Sequence, residues 1–238
     1  MRRVVIYPDQ QAVADAAAAR LGVTLTDTIA TRGVAHVVLT GGTVGIGLLA
    51  SLAASPLSAI IDWTSVHVWW GDERFVAAGD PDRNEGQAQG ALLRHVPLPE
   101  DSIHRVGSSD DFANPEQAAD AYGREIAALG TPTWDVVMLG MGPDGHVASL
   151  FPGHPVYAAA NSAEAVAVQG SPKPPPTRVS LSLASINRAR EVWVVAAGAP
   201  KADAVARGLA GDTDVPVAVV AGTERTLWLL DAAASTAI

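Results

Sequence analysis

Short runs of β-branched, apolar and aromatic residues recur along this chain, each followed by a helix-like or loop segment. No other feature limits the fold as much. The runs are Val4–Tyr7, His36–Thr40, Val66–Trp70, Trp134–Leu139, Glu191–Ala197 and Val215–Val220, with Leu227–Leu230 as a further candidate. Several are almost purely apolar, as strands buried on both faces of a parallel sheet are. Between them, Asp9–Leu21, Gly45–Ala54, Asn84–His95, Pro115–Leu129 and Lys201–Leu209 are rich in Ala and Leu at helical spacing. The alternation reads as α/β, a sheet with helices on both faces. At 238 residues with no internal repeat, one domain spanning 1–238 is favoured over two.

Composition removes whole classes of chemistry. The chain has no cysteine, which excludes disulfides, thiolate-bound zinc, iron–sulfur clusters and thiol nucleophiles. A net charge of −9 argues against nucleic acid or an anionic membrane as the main partner. It leaves room for a small anionic substrate, because a few local cations suffice. The apolar run after Met1-Arg2-Arg3 is too short for a signal peptide, and no stretch approaches a membrane span. The expected setting is soluble and cytoplasmic, and the expected state a monomer or weak oligomer.

In an open parallel sheet, ligands bind outside the carboxyl ends of the strands, so the residues following each strand matter most. After His36–Thr40 comes Thr40-Gly41-Gly42-Thr43-Val44-Gly45-Ile46-Gly47. Paired glycines let backbone amides approach an anion, Thr43 adds a hydroxyl, and the following helix contributes positive partial charge. The stretch is neither a Walker A loop nor a dinucleotide fingerprint, and a ligand-free glycine turn is the plain alternative. After Val66–Trp70 comes Gly71-Asp72-Glu73-Arg74, then Asp80-Pro81-Asp82-Arg83-Asn84. Such charge faces either a polar cleft or solvent, the latter as a loop in which Asn84 is an ordinary N-cap.

The stretch after Trp134–Leu139 is the most informative: Gly140-Met141-Gly142-Pro143-Asp144-Gly145-His146-Val147-Ala148-Ser149-Leu150-Phe151-Pro152-Gly153. Its first three glycines permit a tight, irregular turn from which Asp144 and His146 project. A His beside an Asp in such a turn is a general acid/base candidate. If a short helix begins at His146, its dipole favours the neutral ring, while Asp144 pulls the other way. Further on, Gly170-Ser171-Pro172-Lys173-Pro174-Pro175-Pro176-Thr177-Arg178 cannot be helix or central strand. It is either a stiff surface linker or a rigid loop that presents Arg178 at a site.

Taken together and in this order, these stretches resemble the 6-phosphogluconolactonases, relatives of the glucosamine-6-phosphate deaminases. The matching residues are Leu39 to Thr43, Trp70 to Arg74 with Asp82-Arg83-Asn84, Leu139 to His146, Pro174 to Leu181, and Gly198-Ala199-Pro200-Lys201. The resemblance covers nearly the whole chain and implies a three-layer α/β/α, Rossmann-like, mostly parallel open sheet. Deaminases continue the Asp-Gly-His motif with Asn-Glu-Pro, whose Glu assists ring opening. This chain continues with Ala148-Ser149-Leu150-Phe151-Pro152-Gly153, close to the lactonase pattern. It departs at Thr43-Val44-Gly45, where Ser-Thr-Pro is common, and at Val147, where Thr is common.

The implied substrate is the sugar-phosphate lactone 6-phospho-D-glucono-1,5-lactone, and the implied reaction its hydrolysis. By the resemblance, His146 deprotonates water and returns the proton to the ring oxygen. Asp144 orients His146 or contacts substrate hydroxyls, Arg74 holds the carbonyl side, and Asp72 meets sugar hydroxyls. Gly41, Gly42 and Thr43 with Arg178 and Lys201 grip the phosphate. Lys201 is expected to begin the helix running to Leu209, where a bound anion would offset an unfavourable cation–dipole contact. No metal or organic cofactor is implied, and the six histidines show no zinc spacing. A deaminase-like isomerase and a non-catalytic sugar-phosphate sensor are the alternatives.

Overall fold

A computed structural model describes residues 1–159 and 163–238. In chain order its elements are β1 (Arg2–Tyr7), α1 (Gln10–Arg32), β2 (Ala35–Leu39), α2 (Gly42–Ala54), β3 (Val66–Trp70), β4 (Asp72–Arg74), α3 (Asn84–Ala91) and α4 (Pro115–Ala128). There follow β5 (Val136–Gly140), α5 (Pro155–Ala159), β6 (Ala165–Val168), β7 (Arg178–Leu181), α6 (Leu183–Asn187), β8 (Glu191–Ala196), α7 (Ala202–Ala210) and β9 (Arg225–Asp231). Six strands form one sheet in the order β1-β9-β8-β5-β2-β3, and every pair in it is parallel. Helices flank it, and the apolar strands that predict burial on both faces are its central members. Val37, Val38, Val136, Val137, Val192 and Val194 are all buried. No helix among the described residues is long and apolar enough to cross a membrane.

Two expected elements differ. Helix α1 continues past Leu21 to Arg32. Gly22 lies inside it, where glycine costs about 1 kcal/mol relative to alanine. Leu57 explains the glycine, since a Cβ there would stand 3.1 Å from the Leu57 Cβ. The run Val215–Val220 is not a strand. Pro216 opens a tight 3-10 turn, Pro216–Ala218, having no N–H for a sheet ladder. Val215, Val217, Ala218 and Val220 are buried all the same, and Val217 N–H donates to the Gly145 carbonyl at 3.0 Å.

The charged stretch Asp72–Arg74, for which a solvated loop is one of two readings, is strand β4, and Asp72 and Arg74 face the cleft described below. The strand pairs antiparallel with β7, placing Asp72 opposite Ser180 and Arg74 opposite Arg178, and β6 completes this small second sheet. Asn84 is not an N-cap but the first residue of α3, whose cap residue, Arg83, makes no side-chain cap bond. Glu73 of β4 takes over that task from a distance. Its carboxylate accepts from the backbone N–H of Asn84 and Glu85, both at 2.8 Å, and of Arg74 at 2.7 Å. Burial pushes the Glu73 carboxyl up, while nearby Arg83 and these three donors oppose it.

Away from the carboxyl ends, His36, His67 and His104 stack with centroid spacings of 4.8 and 5.1 Å, and Trp69 lies 3.8 Å from His104. Trp69 Nε1–H donates to His36 Nδ1 at 3.2 Å, a bond that needs an unprotonated acceptor. Burial, then the neighbouring His67 and His104, lower the His36 pKa from 6.5 to about 4. The folded state therefore binds fewer protons than the unfolded chain between those values. The contribution is complete above pH 6.5 and is lost as pH falls through about 4. Allowing for partial solvent contact, roughly 1–2 kcal/mol of stability should disappear on acidification. Urea unfolding at pH 7.5 and 4.5 checks this, with His36→Gln as the control. An equal pH dependence in that variant would remove His36 as the cause.

Candidate active site

From β2 the chain moves to β3 on one side, and from β5 to β8 on the other, so a crevice opens between the carboxyl ends of β2 and β5. Gly140 N–H donates to Thr40 Oγ1 at 3.0 Å and ties these two strand ends together. Above them lies a cleft of about 270 Å³. Gly41, Gly42, Asp72, Arg74, His146, Arg178 and Lys201 all line it. Thr43 faces an adjoining hollow, shared with Lys201 and Gln10. Asp144 sits behind His146.

The glycine loop becomes the start of α2. Gly42 has φ +79°, and the helix carries neither a side-chain cap nor an acidic first-turn residue. The backbone N–H groups at such a start are left without intrahelical partners. Gly41 is obligatory for a different reason: a Cβ would fall 1.9 Å from Asn84 Oδ1. Asn84 in turn donates from Nδ2 to the Asp72 carbonyl at 2.8 Å, so loop, α3 and β4 meet at one buried amide.

The turn carrying His146 is folded on itself. Gly142 N–H donates to the His146 carbonyl at 2.9 Å, and Gly145 N–H to that of Gly142 at 3.0 Å. A Cβ on Gly142 would lie 2.1 Å from the imidazole, and Gly145, at φ +80°, abuts Val215. No helix begins at His146, so a helix dipole has no part in its protonation. Its Nδ1 is 2.6 Å from Asp144 Oδ1. That contact assigns the Nδ1 proton to a bond with the carboxylate and leaves Nε2, which has no hydrogen-bond partner among the described residues, as the acceptor. Burial acts to raise the Asp144 pKa. The bond from His146, the charge of that ring and Lys173 outweigh it and hold the carboxyl well below the usual carboxylate range.

Four cations, Arg74, Lys173, Arg178 and Lys201, line this cleft in a chain of net charge −9. Arg74 donates from Nη1 to the Asp82 carbonyl, and its buried Nε has no partner among the described residues. Lys201 ends a 3-10 turn, caps the start of α7, and donates to the Met141 carbonyl. Burial lowers its pKa, Lys173 adds to the effect and Asp144 opposes it. Asp72 is 7 % exposed, and its Oδ2 accepts from Ser149 Oγ at 2.6 Å.

Arg178, expected to help grip a phosphate, already has most of its guanidinium engaged by backbone carbonyls. Nε donates to the Pro175 carbonyl at 3.1 Å, and Nη2 to those of Lys173 and Pro174 at 3.2 and 3.1 Å. Only Nη1 is turned elsewhere, 3.5 Å from Ser149 Oγ and 3.7 Å from Asp72 Oδ2. Proline segments leave carbonyls with no N–H of their own to answer them, and this guanidinium satisfies three. Lys173, Ser149 and Glu73 were not anticipated as parts of the site. The usable signal for Lys173 was its place among four prolines, a stiff mount for a flexible side chain.

The model of the Glucosamine-6-phosphate isomerases/6-phosphogluconolactonase family matches residues 8–228. A 6-phosphogluconolactonase of Streptomyces coelicolor is 50% identical, covering 98% of this chain and 93% of that protein. The solved 6-phosphogluconolactonase of Trypanosoma brucei superposes with a TM-score of 0.85 at 28% identity, covering 99% of this chain and 98% of that one. A monomeric glucosamine-6-phosphate deaminase superposes nearly as well, with a TM-score of 0.82 at 18% identity, covering 99% and 100%. The likeness to the deaminase is one of fold alone.

Proposed function

The chain belongs to the Glucosamine-6-phosphate isomerases/6-phosphogluconolactonase family, and from that premise we propose that His146 hydrolyses 6-phospho-D-glucono-1,5-lactone by general-base activation of water. The chain is a lactone hydrolase, and its product in this reading is 6-phospho-D-gluconate, as in the oxidative pentose phosphate pathway. The observation that carries the mechanism is His146 on the cleft wall, with Asp144 on Nδ1 and Nε2 unengaged.

Nε2 takes a proton from water, and the hydroxide adds to the lactone carbonyl carbon. Arg74, which lines the cleft, meets the resulting oxyanion. Collapse breaks the bond from that carbon to the ring oxygen, and the imidazolium returns its proton to the departing oxygen. One residue thus serves both steps, with Asp144 balancing the positive ring. Asp72 is the acceptor for sugar hydroxyls. The phosphate does no chemistry and acts as a handle that fixes geometry. The start of α2 at Gly41, Gly42 and Thr43, together with Lys201 and Arg178 Nη1, forms its grip.

The test supplies freshly generated phosphorylated lactone and follows acid release above the spontaneous rate. Ammonia release from glucosamine 6-phosphate, or binding without turnover, would overturn the reading. Lys201→Ala should lose about tenfold or more in kcat/KM on the phosphorylated lactone and far less on unphosphorylated gluconolactone, the loss of one charge-assisted contact. Equal losses on the two substrates would take Lys201 out of the grip.

A further inference from the structure

We propose that Lys173 is a positioning residue for the Asp144–His146 pair, held there by the proline segment that Arg178 ties down. The proposal rests on the lactonase reading of the site. Lys173 Nζ lies 3.6 Å from Asp144 Oδ1 and 3.4 Å from His146 Nδ1. Because Nδ1 gives its proton to Oδ1, it has no lone pair for the ammonium. The carboxylate oxygen is therefore what holds Lys173, and the imidazole and the ammonium share it.

The mount supports this assignment. Pro172, Pro174, Pro175 and Pro176 fix the backbone φ around Lys173. Ser171 N–H donates to the Pro176 carbonyl at 2.9 Å, Ser171 Oγ–H donates to the Lys173 carbonyl at 3.0 Å, and Arg178 binds that same Lys173 carbonyl and those of Pro174 and Pro175. A solvated linker needs none of these bonds. Here they set the root of a long, flexible side chain beside the pair.

Two effects follow. Asp144 is fixed from a second side, so the ring it orients is fixed too. A positive charge beside Nδ1 also opposes the imidazolium, keeping His146 available as a base and ready to give its proton to the leaving oxygen. The other charged groups facing the ring have different placements. Asp144 shares its turn, Lys201 approaches from the start of α7 within electrostatic reach of Lys173 and Asp144, and Arg178 lies across Phe151.

The experiment compares kcat, KM and the pH–rate profile of wild type, Lys173→Met and Lys173→Arg on phosphorylated and unphosphorylated lactone, with folding checked by circular dichroism. In Lys173→Met the acid limb of kcat/KM should move up by about half to one pH unit, from loss of one partly screened charge. Its kcat should fall about tenfold on both lactones through looser orientation, with KM little changed. Lys173→Arg should restore the limb. An unmoved limb, with loss confined to KM for the phosphorylated lactone, would make Lys173 a phosphate ligand and overturn the proposal. No effect at all would overturn it equally. Should wild type fail to hydrolyse either lactone, the lactonase reading falls first. Titration of the His146 ring by nitrogen-15 NMR still decides the Lys173 coupling, because a midpoint that rises in Lys173→Met supports it and an unmoved one overturns it.

Discussion

His146→Ala should lower turnover by roughly two to four orders of magnitude, the usual range for removing a positioned general base. In the proposed mechanism the effect falls on both proton transfers at once, since there the same nitrogen accepts from water and donates to the ring oxygen. The fold should survive. The ring lies at a cleft wall, 14% exposed, and its main packing partner is Phe151 at a centroid distance of 4.4 Å. Asp144 would not be stranded, because Lys173 stands within 3.6 Å of it. Turnover with freshly generated lactone and circular dichroism of the same sample check this. Retained activity in a folded variant would move the base elsewhere.

Arg178→Ala carries the second largest expected effect, and it acts on stability as well as rate. The side chain is 6% exposed, and its pair with the buried Asp72 lies inside the protein. Removing one member of a buried pair costs about 3 kcal/mol or more, because the other charge is left without its partner. The Pro174 and Pro175 carbonyls also lose their donor, and that of Lys173 keeps only Ser171 Oγ–H. Lys173 then loses its mount, so kcat/KM should fall about a hundredfold on both lactones, more on the phosphorylated one. Arg178→Lys keeps the charge but cannot reach three carbonyls, and should recover only part of the stability. Urea unfolding together with kinetics on both lactones checks this. A stable Arg178→Ala variant impaired solely on the phosphorylated lactone would reduce Arg178 to a phosphate ligand.

What could be read without coordinates follows from how much of each element its own residues determine. The central strands were legible because burial on both faces demands unbroken apolar runs such as Val136 to Leu139. The glycine turns were legible because Gly142 and Gly145 occupy places a side chain cannot share. Strand β4 was hidden, since Asp72-Glu73-Arg74 has the composition of a loop and is a strand only by virtue of its partner β7. Val215–Val220 misled for the reverse reason: it is apolar enough for a strand, but Pro216 turns it against the turn that carries His146. Arg178 lines the cleft, but its occupation by three carbonyls depends on where the prolines fold, which no local pattern reveals. The same holds for Glu73, whose helix partners lie eleven and twelve residues ahead.

The order of the large sheet bears on how the chain comes off the ribosome. Strand β1 is made early, yet its only sheet neighbour among the described residues is β9, with Arg2 opposite Thr226 and Tyr7 opposite Asp231. The helices and the β2–β3 pair can take shape while synthesis continues, but β1 must wait for a partner more than two hundred residues away. Pairing across such a separation is slow, and an unpaired strand edge is a point of misassociation in the meantime. Nascent chains halted before residue 225 would hold the turn that carries His146 and the four cations named in the cleft, yet leave β1 unclaimed and the flank of β8 bare.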